Sequence, residues 1–126
     1  MLKIKVITVG KCKEPWLKTA IAEYEKRLSS YLSLTWVEQR ELKIIESESF
    51  IALDPKGELL DSPHLSQKLM RSFEQGKSKL TFVIGGPEGI ETGLLKKASW
   101  RWSLSPLTFT HQLTRLILIE QLYRSL

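Results

Sequence analysis

The sequence predicts an α/β fold with a mostly parallel sheet flanked by helices. Short apolar segments alternate along the chain with longer segments in which apolar residues recur at helical spacing. Such alternation is typical of strands joined by crossover helices. The chain has 126 residues, of which 42% are apolar and 26% charged. Since this length and composition suit one globular unit, we expect a single domain over residues 1–126.

Five segments are predicted as strands, because their apolar residues either alternate with polar ones or run on without interruption. In the first strand, Leu2, Ile4 and Val6 alternate with polar residues before an apolar run continues towards Gly10. A turn is predicted at Asp54–Gly57, directly after the third strand. The predicted strands are Leu2–Gly10, Leu32–Trp36, Phe50–Leu53, Leu80–Ile84 and Trp100–Leu104.

Four helices are predicted between and after these strands. The first begins at Glu14 and Pro15, because proline is tolerated in a first turn and a carboxylate is favourable there. In the second, Ser62 is the predicted N-cap, Pro63 follows it, and Gly76 ends the helix. The others are a short helix near Thr92–Ala98 and a last helix from after Thr110 to the end of the sequence.

The composition argues against several classes of function. Cys12 is the only cysteine, so an internal disulfide is excluded and a reducing, cytoplasmic setting is expected. We interpret Cys12 as a spectator thiol, since no histidine lies near it in sequence. No apolar run reaches the ~20 residues that span a bilayer, so no membrane association is expected. His64 and His111 lie far apart and no cysteine pair exists, so no metal site is expected.

The charge balance and one glycine-rich segment point to a small-molecule site with an anionic partner nearby. The formal net charge of +5 favours an anionic partner over a cationic one. Residues Phe82–Gly89 run from apolar residues into a turn with three glycines and a proline, as in a buried strand that stops at a ligand. Ligands of open parallel sheets bind beyond the carboxyl ends of the strands. We therefore expect the strand ends at Leu53–Asp54, Ile84–Gly85 and Leu104–Ser105 to converge.

The ligand class follows from what these loops contain. The glycine loop is followed by no Gly-Lys-Ser/Thr, and its glycines lack dinucleotide-binding spacing. A triphosphate or a pyrophosphate is therefore not the expected ligand. The apolar residues of these loops suit a flat purine whose edge is read by backbone groups. They are Leu53, Leu104, Pro106, Leu107 and Phe109. An ordinary tight turn with no ligand remains the alternative interpretation of the glycine loop alone.

Several motifs resemble one enzyme family in their order along almost the whole chain. They are Leu53-Asp54, Val83-Ile84-Gly85-Gly86-Pro87-Glu88-Gly89, Leu104-Ser105-Pro106-Leu107-Thr108-Phe109, His111-Gln112-Leu113, Arg115-Leu116 and Glu120-Gln121-Leu122-Tyr123-Arg124, with Val9-Gly10-Lys11 and Ala22–Arg27 before them. On these residues the sequence resembles the SPOUT-class methyltransferases that act on a pseudouridine of large-subunit ribosomal RNA.

The resemblance implies a C-terminal trefoil knot, S-adenosylmethionine as methyl donor and a homodimer. It also implies methylation at N3 of a pseudouridine in 23S ribosomal RNA, on assembled ribosomes. The family's cofactor contacts carry over to Leu53, Gly85, Leu104, Ser105, Pro106, Leu107, Thr108 and Phe109. Two alternatives stay open: a non-catalytic RNA- or ribosome-binding module on the same fold, and a methyltransferase that acts on transfer RNA.

Three residues in or beside the last helix are candidates for catalysis. His111 is a candidate base or base-orienting group, and Arg115 and Arg124 could bind RNA phosphate or stabilise the anion at N3. The alternatives are that His111 only caps or packs, and that Arg124 pairs with Glu120 four residues earlier. Arg115 and Arg124 should lie on opposite sides of a helix, so a dimer could place one in each of two sites.

The last helix is also the expected dimer contact, because a helix that is apolar nearly all round must be buried. Its apolar residues are Leu113, Leu116, Ile117, Leu118, Ile119 and Leu122.

The chain departs from the family in two respects. Only Gln39–Ser49 stands where the family has a longer charged insert, and the sequence ends at Leu126, where the family continues with a tail containing histidine and tyrosine.

Overall fold

A parallel five-stranded sheet forms the centre of the computed structural model, which describes residues 2–44, 48–107 and 109–125. The strand order within these residues is β2-β1-β4-β3-β5, and all neighbouring strands run parallel. The predicted α/β fold is therefore confirmed. The strands are β1 (Leu2–Val9), β2 (Leu32–Gln39), β3 (Ile51–Leu59), β4 (Lys79–Ile84) and β5 (Trp100–Ser103).

One face of the sheet is covered by three long helices, α1 (Pro15–Leu28), α2 (Ser62–Gln75) and α4 (His111–Ser125). Every second residue of the strands faces these helices, because strand side chains alternate between faces. The resulting core joins strand residues such as Ile4 and Phe82 to helix residues such as Leu17, Leu65 and Leu118; each of the five is at most 1% exposed.

The opposite face is covered by α3 (Thr92–Leu95) and by irregular segments of the chain. Ile7, Ala52 and Val83 form the buried centre of this second cluster, against which Leu42 and Leu94 pack. Burial on both faces explains why the strands contain long apolar runs, since each neighbouring residue pair contributes one side chain to each core.

β3 differs from the sequence prediction. Leu53 and Glu58 are both aligned with Trp102 of β5, so the four residues between them bulge out and pairing then resumes as far as Leu59. The prediction that β3 ends at Leu53, before a turn at Asp54–Gly57, is therefore wrong. Pairing with β5 outweighs the local preference of Asp-Pro-Lys-Gly for a turn. Gly57 permits this close pairing: a Cβ there would lie 2.7 Å from the carbonyl carbon of Arg101.

The second helix begins one residue earlier than the sequence predicts. Asp61, not Ser62, is the N-cap, and its side chain accepts a hydrogen bond of 2.9 Å from the backbone N–H of His64. Aspartate, like serine, satisfies a free N–H of a first turn, and the aspartate is the residue that has extended backbone here.

The chain crosses the carboxyl end of the sheet between β5 and α4. β5 is an edge strand, whereas the first turn of α4 lies against the end of β1, beyond β3 and β4. Gln112 Nε2 there donates a hydrogen bond of 2.8 Å to the carbonyl of Lys11. Residues 104–110 therefore connect distant positions at the edge of the sheet where the candidate cofactor residues were predicted. The trefoil knot stays a prediction.

Candidate active site

The three predicted strand ends are adjacent. Leu53 of β3 is aligned with Ile84 of β4 on one side and with Trp102 of β5 on the other. Since all three strands run parallel, Gly85 and Leu104 follow at the same edge of the sheet. The ends of β4 and β5 therefore lie at one edge of the sheet as expected, whereas Leu53 lies beside them but before the bulge of β3, so it is not the end of its strand.

The glycine loop after β4 is a tight turn. The N–H of Gly89 donates a hydrogen bond of 2.9 Å to the carbonyl of Gly86, and Gly89 has a φ of +80°. A Cβ at Gly85 would lie 2.6 Å from the carbonyl carbon of Gly89. The close approach that requires glycine at position 85 is therefore made by the loop itself, and not only by a ligand as the sequence suggested.

The segment after β5 is held by its own serines. Ser103 Oγ donates a hydrogen bond of 3.0 Å to the carbonyl of Ser105, and Ser105 Oγ accepts one of 3.0 Å from the N–H of Leu107. Leu104, Ser105 and Phe109 are half-buried, whereas Pro106 is exposed; Thr108 lies outside the described residues. Leu107 is 71% exposed and Leu59, at the end of β3, is 61% exposed. Exposed apolar side chains at a strand edge are suited to cover an aromatic ring.

Arg115 is buried at the other end of this edge. It is 1% exposed; its Nη1 donates to Glu38 Oε2 at 2.6 Å, and its Nη2 donates to the carbonyls of Val9 and Gly10 at 3.2 and 2.9 Å. The guanidinium thus joins α4 to the ends of β1 and β2. Because Arg115 is buried and hydrogen-bonded to these neighbours, we interpret it as a residue that positions α4 and not as one that contacts the substrate.

Glu38 is a charged residue of this corner that no sequence pattern singled out. Besides Arg115, it accepts a hydrogen bond of 2.9 Å from the backbone N–H of Cys12. Burial raises the pKa of Glu38, but hydrogen bonds from Arg115 and Cys12 and the charges of Arg115 and Lys11 outweigh it, so the pKa is below its ordinary value. No spacing in the sequence connects a strand carboxylate with an arginine 77 positions later.

His111, the first residue of α4, is half-buried at the same corner. Burial, together with the positive charges of Arg115 and Lys13, lowers the pKa of the imidazole below its ordinary value of 6.5. The ring is therefore mainly neutral at pH 7 and able to accept a proton.

Arg124 lies on the outer surface of α4, unlike Arg115. Its side chain is 64% exposed and forms an ion pair with Glu120 in the same helix. The predicted intrahelical pair is confirmed, as is the prediction that the two arginines lie on opposite sides of the helix. One pocket within one chain therefore does not contain both.

A groove of about 290 Å³ lies between α1 and the end of β2, and no residue of β3, β4 or β5 lines it. Trp36 forms part of its wall, and its Nε1 donates a hydrogen bond of 2.7 Å to Glu25 Oε1. Arg115, Cys12 and Glu38 also line the groove. The sequence contained no signal for this groove, because its walls come from separate elements.

Two absences concern the described residues alone. Within residues 2–44, 48–107 and 109–125, no helix is long and apolar enough to cross a membrane. In the same ranges, no three His, Cys, Asp or Glu side chains are grouped so that they could hold a metal ion.

Comparison with known proteins identifies the family. Residues 2–126 match the model of a family described as "Predicted SPOUT methyltransferase". A protein of Protochlamydia amoebophila named "Ribosomal RNA large subunit methyltransferase H" is 48% identical over an alignment that covers 99% of this chain and 92% of the relative. A protein of the same name from Acetivibrio thermocellus is 43% identical, and the alignment covers 98% of this chain and 93% of the relative. A third, from Alkaliphilus oremlandii, is 38% identical, and the alignment covers 99% of this chain and 94% of the relative. The chain belongs to the SPOUT methyltransferase family.

Proposed function

We propose that the protein transfers a methyl group from S-adenosylmethionine to N3 of a pseudouridine in large-subunit ribosomal RNA. The observation that carries this proposal is the 48% identity, over 99% of the chain, to a relative named as a ribosomal RNA large subunit methyltransferase. The adjacency of the predicted strand ends supports it independently, because that edge is where ligands of parallel sheets bind. A ribosomal substrate would place the protein in the cytoplasm.

The proposed cofactor site consists of Leu53, Gly85 and residues 104–109. It suits an adenosine because Leu107 and Leu59, which is aligned with Ser103, expose apolar surface, while the turns at Gly85–Gly89 and Ser103–Leu107 offer backbone groups. When bound, S-adenosylmethionine supplies a methyl group that is already electrophilic. The transfer requires no metal ion, so the chain's task is mainly to align N3 of the ring with that methyl group.

His111 is the proposed proton acceptor or its orienting group. N3 of pseudouridine must lose its proton to become nucleophilic, and His111 is neutral at pH 7 because burial and two nearby cations disfavour its charged form. Arg124 is the proposed contact to RNA phosphate or to the developing anion, since its guanidinium is exposed and only Glu120 pairs with it among the described residues. Arg115 takes the role of a positioning residue, holding the start of α4 against β1 and β2.

The proposed homodimer is supported by the outer surface of α4. Leu113, Leu116 and Ile117 are only half-buried within one chain, and Tyr123 is exposed. Such apolar side chains are typical of a surface that a second copy covers. A dimer would also allow Arg124 of one subunit to approach the site of the other.

Incubation with methyl-labelled S-adenosylmethionine and either intact ribosomes or transfer RNA tests the function. We expect label in 23S RNA of ribosomes, and mass spectrometry of the digested nucleosides should identify N3-methylpseudouridine. Label in transfer RNA would support the transfer-RNA enzyme instead. Absence of both label and calorimetric heat with S-adenosylmethionine would support a non-catalytic RNA-binding module.

A further inference from the structure

The loop between β1 and α1, residues 10–14, contains two exposed lysines. Lys11 and Lys13 are exposed, whereas Cys12 between them is half-buried and packs against the main core. Neither lysine forms an ion pair within the described part of the chain. We propose that Lys11 and Lys13 bind the phosphate backbone of the substrate RNA beside the target nucleotide, an inference that rests on the proposed function.

The loop is held in place by hydrogen bonds at three consecutive residues. The carbonyl of Gly10 accepts from Arg115 at 2.9 Å, the carbonyl of Lys11 accepts from Gln112 at 2.8 Å, and the N–H of Cys12 donates to Glu38 at 2.9 Å. Gly10 has a φ of +75°, which redirects the chain at the end of β1. The backbone is therefore anchored while both ammonium groups extend into solvent.

The anchoring places the lysines next to the proposed proton acceptor. Gln112, which binds the carbonyl of Lys11, directly follows His111 in the first turn of α4. Lys13 is close enough for its charge to lower the pKa of His111. RNA bound by this loop would therefore have its phosphates beside the residue that acts on the base.

The local charges favour an anion at this loop. Glu38 is already engaged by Arg115 and by the N–H of Cys12, and Glu14, which is exposed, is the carboxylate within the loop itself that opposes the two lysines. The carboxylate of the cofactor is the competing anion. The loop follows β1, however, which β4 separates from β3 and β5, so the lysines flank the proposed cofactor site.

The test compares two double variants that remove two positive charges each. One is Lys11→Gln with Lys13→Gln. The matched control is Lys96→Gln with Lys97→Gln, two exposed lysines after α3, which packs on the opposite face of the sheet. Binding to purified large ribosomal subunits is measured between about 50 and 200 mM salt. Calorimetry with S-adenosylmethionine and sedimentation velocity are measured in parallel.

The Lys11/Lys13 variant should bind the subunits on the order of ten- to fortyfold more weakly at low salt. The magnitude of its salt-dependence slope should fall by about 1.5, because each lost phosphate contact removes about 0.7–0.9. Its affinity for S-adenosylmethionine and its sedimentation should be unchanged, and Lys11→Arg with Lys13→Arg should restore RNA binding.

Two outcomes would overturn the inference: unchanged subunit affinity, or an equal loss in the Lys96/Lys97 control. Loss of cofactor affinity in the Lys11/Lys13 variant would assign the lysines to the cofactor instead. Failure of the proposed function is distinguishable, because the unmodified protein would then methylate no ribosomes.

Discussion

Arg115 Nη1 lies 2.6 Å from Glu38 Oε2, although 77 positions separate the two residues in sequence. The bond joins α4, which follows the last strand, to β2 at the opposite edge of the sheet. Because Arg115 also binds the carbonyls of Val9 and Gly10, one guanidinium fixes the start of α4 over the ends of β1 and β2. His111 is four residues before Arg115, so the position of the proposed proton acceptor depends on this contact.

Removal of the carboxylate should destabilise the protein. Glu38→Ala leaves the buried guanidinium of Arg115 without its carboxylate partner. We expect the free energy of unfolding to fall by about 1–3 kcal/mol. This loss is smaller than that for breaking a fully buried ion pair, because water reaches Glu38. Urea denaturation measures the change. Glu23→Ala is the control: it breaks an exposed pair with Arg27 in α1 and should cost less than about 0.5 kcal/mol. Equal losses would contradict the structural role of Glu38.

The depressed pKa of His111 predicts a pH dependence of stability. The unfolded chain takes up a proton near the ordinary pKa of 6.5, whereas the folded chain does so only at lower pH. Stability should therefore decrease as the pH falls through 6.5 towards the folded pKa, and His111→Gln should flatten that decrease. NMR titration of the imidazole is the direct measurement. A folded-state pKa at or above 6.5 would contradict both the burial argument and the neutral base at pH 7.

The ends of β4 and β5 were predictable because their signal is local. Apolar runs that stop at Gly85 or at Ser105 mark a buried strand and its end, and the parallel alternation then requires neighbouring ends to share an edge. The start of α4 at His111 was predictable for the same reason, since helical spacing begins there.

The Arg115–Glu38 contact and the bulge in β3 could not be predicted, because both depend on tertiary partners. Asp54–Gly57 has the composition of a turn, yet the strand resumes as far as Leu59 because β5 offers a partner. In the sequence, nothing distinguishes Arg115 from Arg124 as the partner of Glu38, because only the fold brings Arg115 and Glu38 together. The groove beside Trp36 could not be predicted either, because its walls come from elements that are distant in sequence.

The proposed dimer predicts that a charge on the outer surface of α4 separates the subunits. Ile117 is half-buried within one chain, and Ile117→Lys would require an ammonium group to be desolvated in the contact. Analytical ultracentrifugation should detect a shift from dimer to monomer. The control is Met70→Lys on α2, where the side chain is 57% exposed and lies on another helix. A dimer that survives Ile117→Lys would exclude this surface as the interface.

Leu107 should affect cofactor binding far more than stability. Its side chain is 71% exposed, so Leu107→Ser should change the free energy of unfolding by less than about 0.5 kcal/mol. If the side chain covers the adenine, the loss of apolar contact should weaken S-adenosylmethionine binding by roughly tenfold, as measured by calorimetry. Met70→Ser, which alters a similarly exposed side chain on α2, should leave the affinity unchanged. Unaltered affinity in Leu107→Ser would mean that the cofactor does not contact this loop residue.

Gly85 and Gly93 provide a matched pair of glycines for testing the loop after β4. A Cβ at Gly85 would lie 2.6 Å from the carbonyl carbon of Gly89, so Gly85→Ala must open the turn and should cost about 1–3 kcal/mol. At Gly93 in α3 the nearest atom, Glu91 Oε1, is 3.7 Å away, and Gly93→Ala should be neutral or slightly stabilising.

Both variants are compared by urea denaturation and by calorimetry with S-adenosylmethionine. Opening the turn should also weaken cofactor binding, because the backbone groups of the glycine loop would leave the strand edge. If Gly85→Ala is destabilised but binds the cofactor normally, the loop supports the fold and takes no part in the site. If Gly85→Ala is as stable as Gly93→Ala, the close packing between Gly85 and Gly89 is itself disproved.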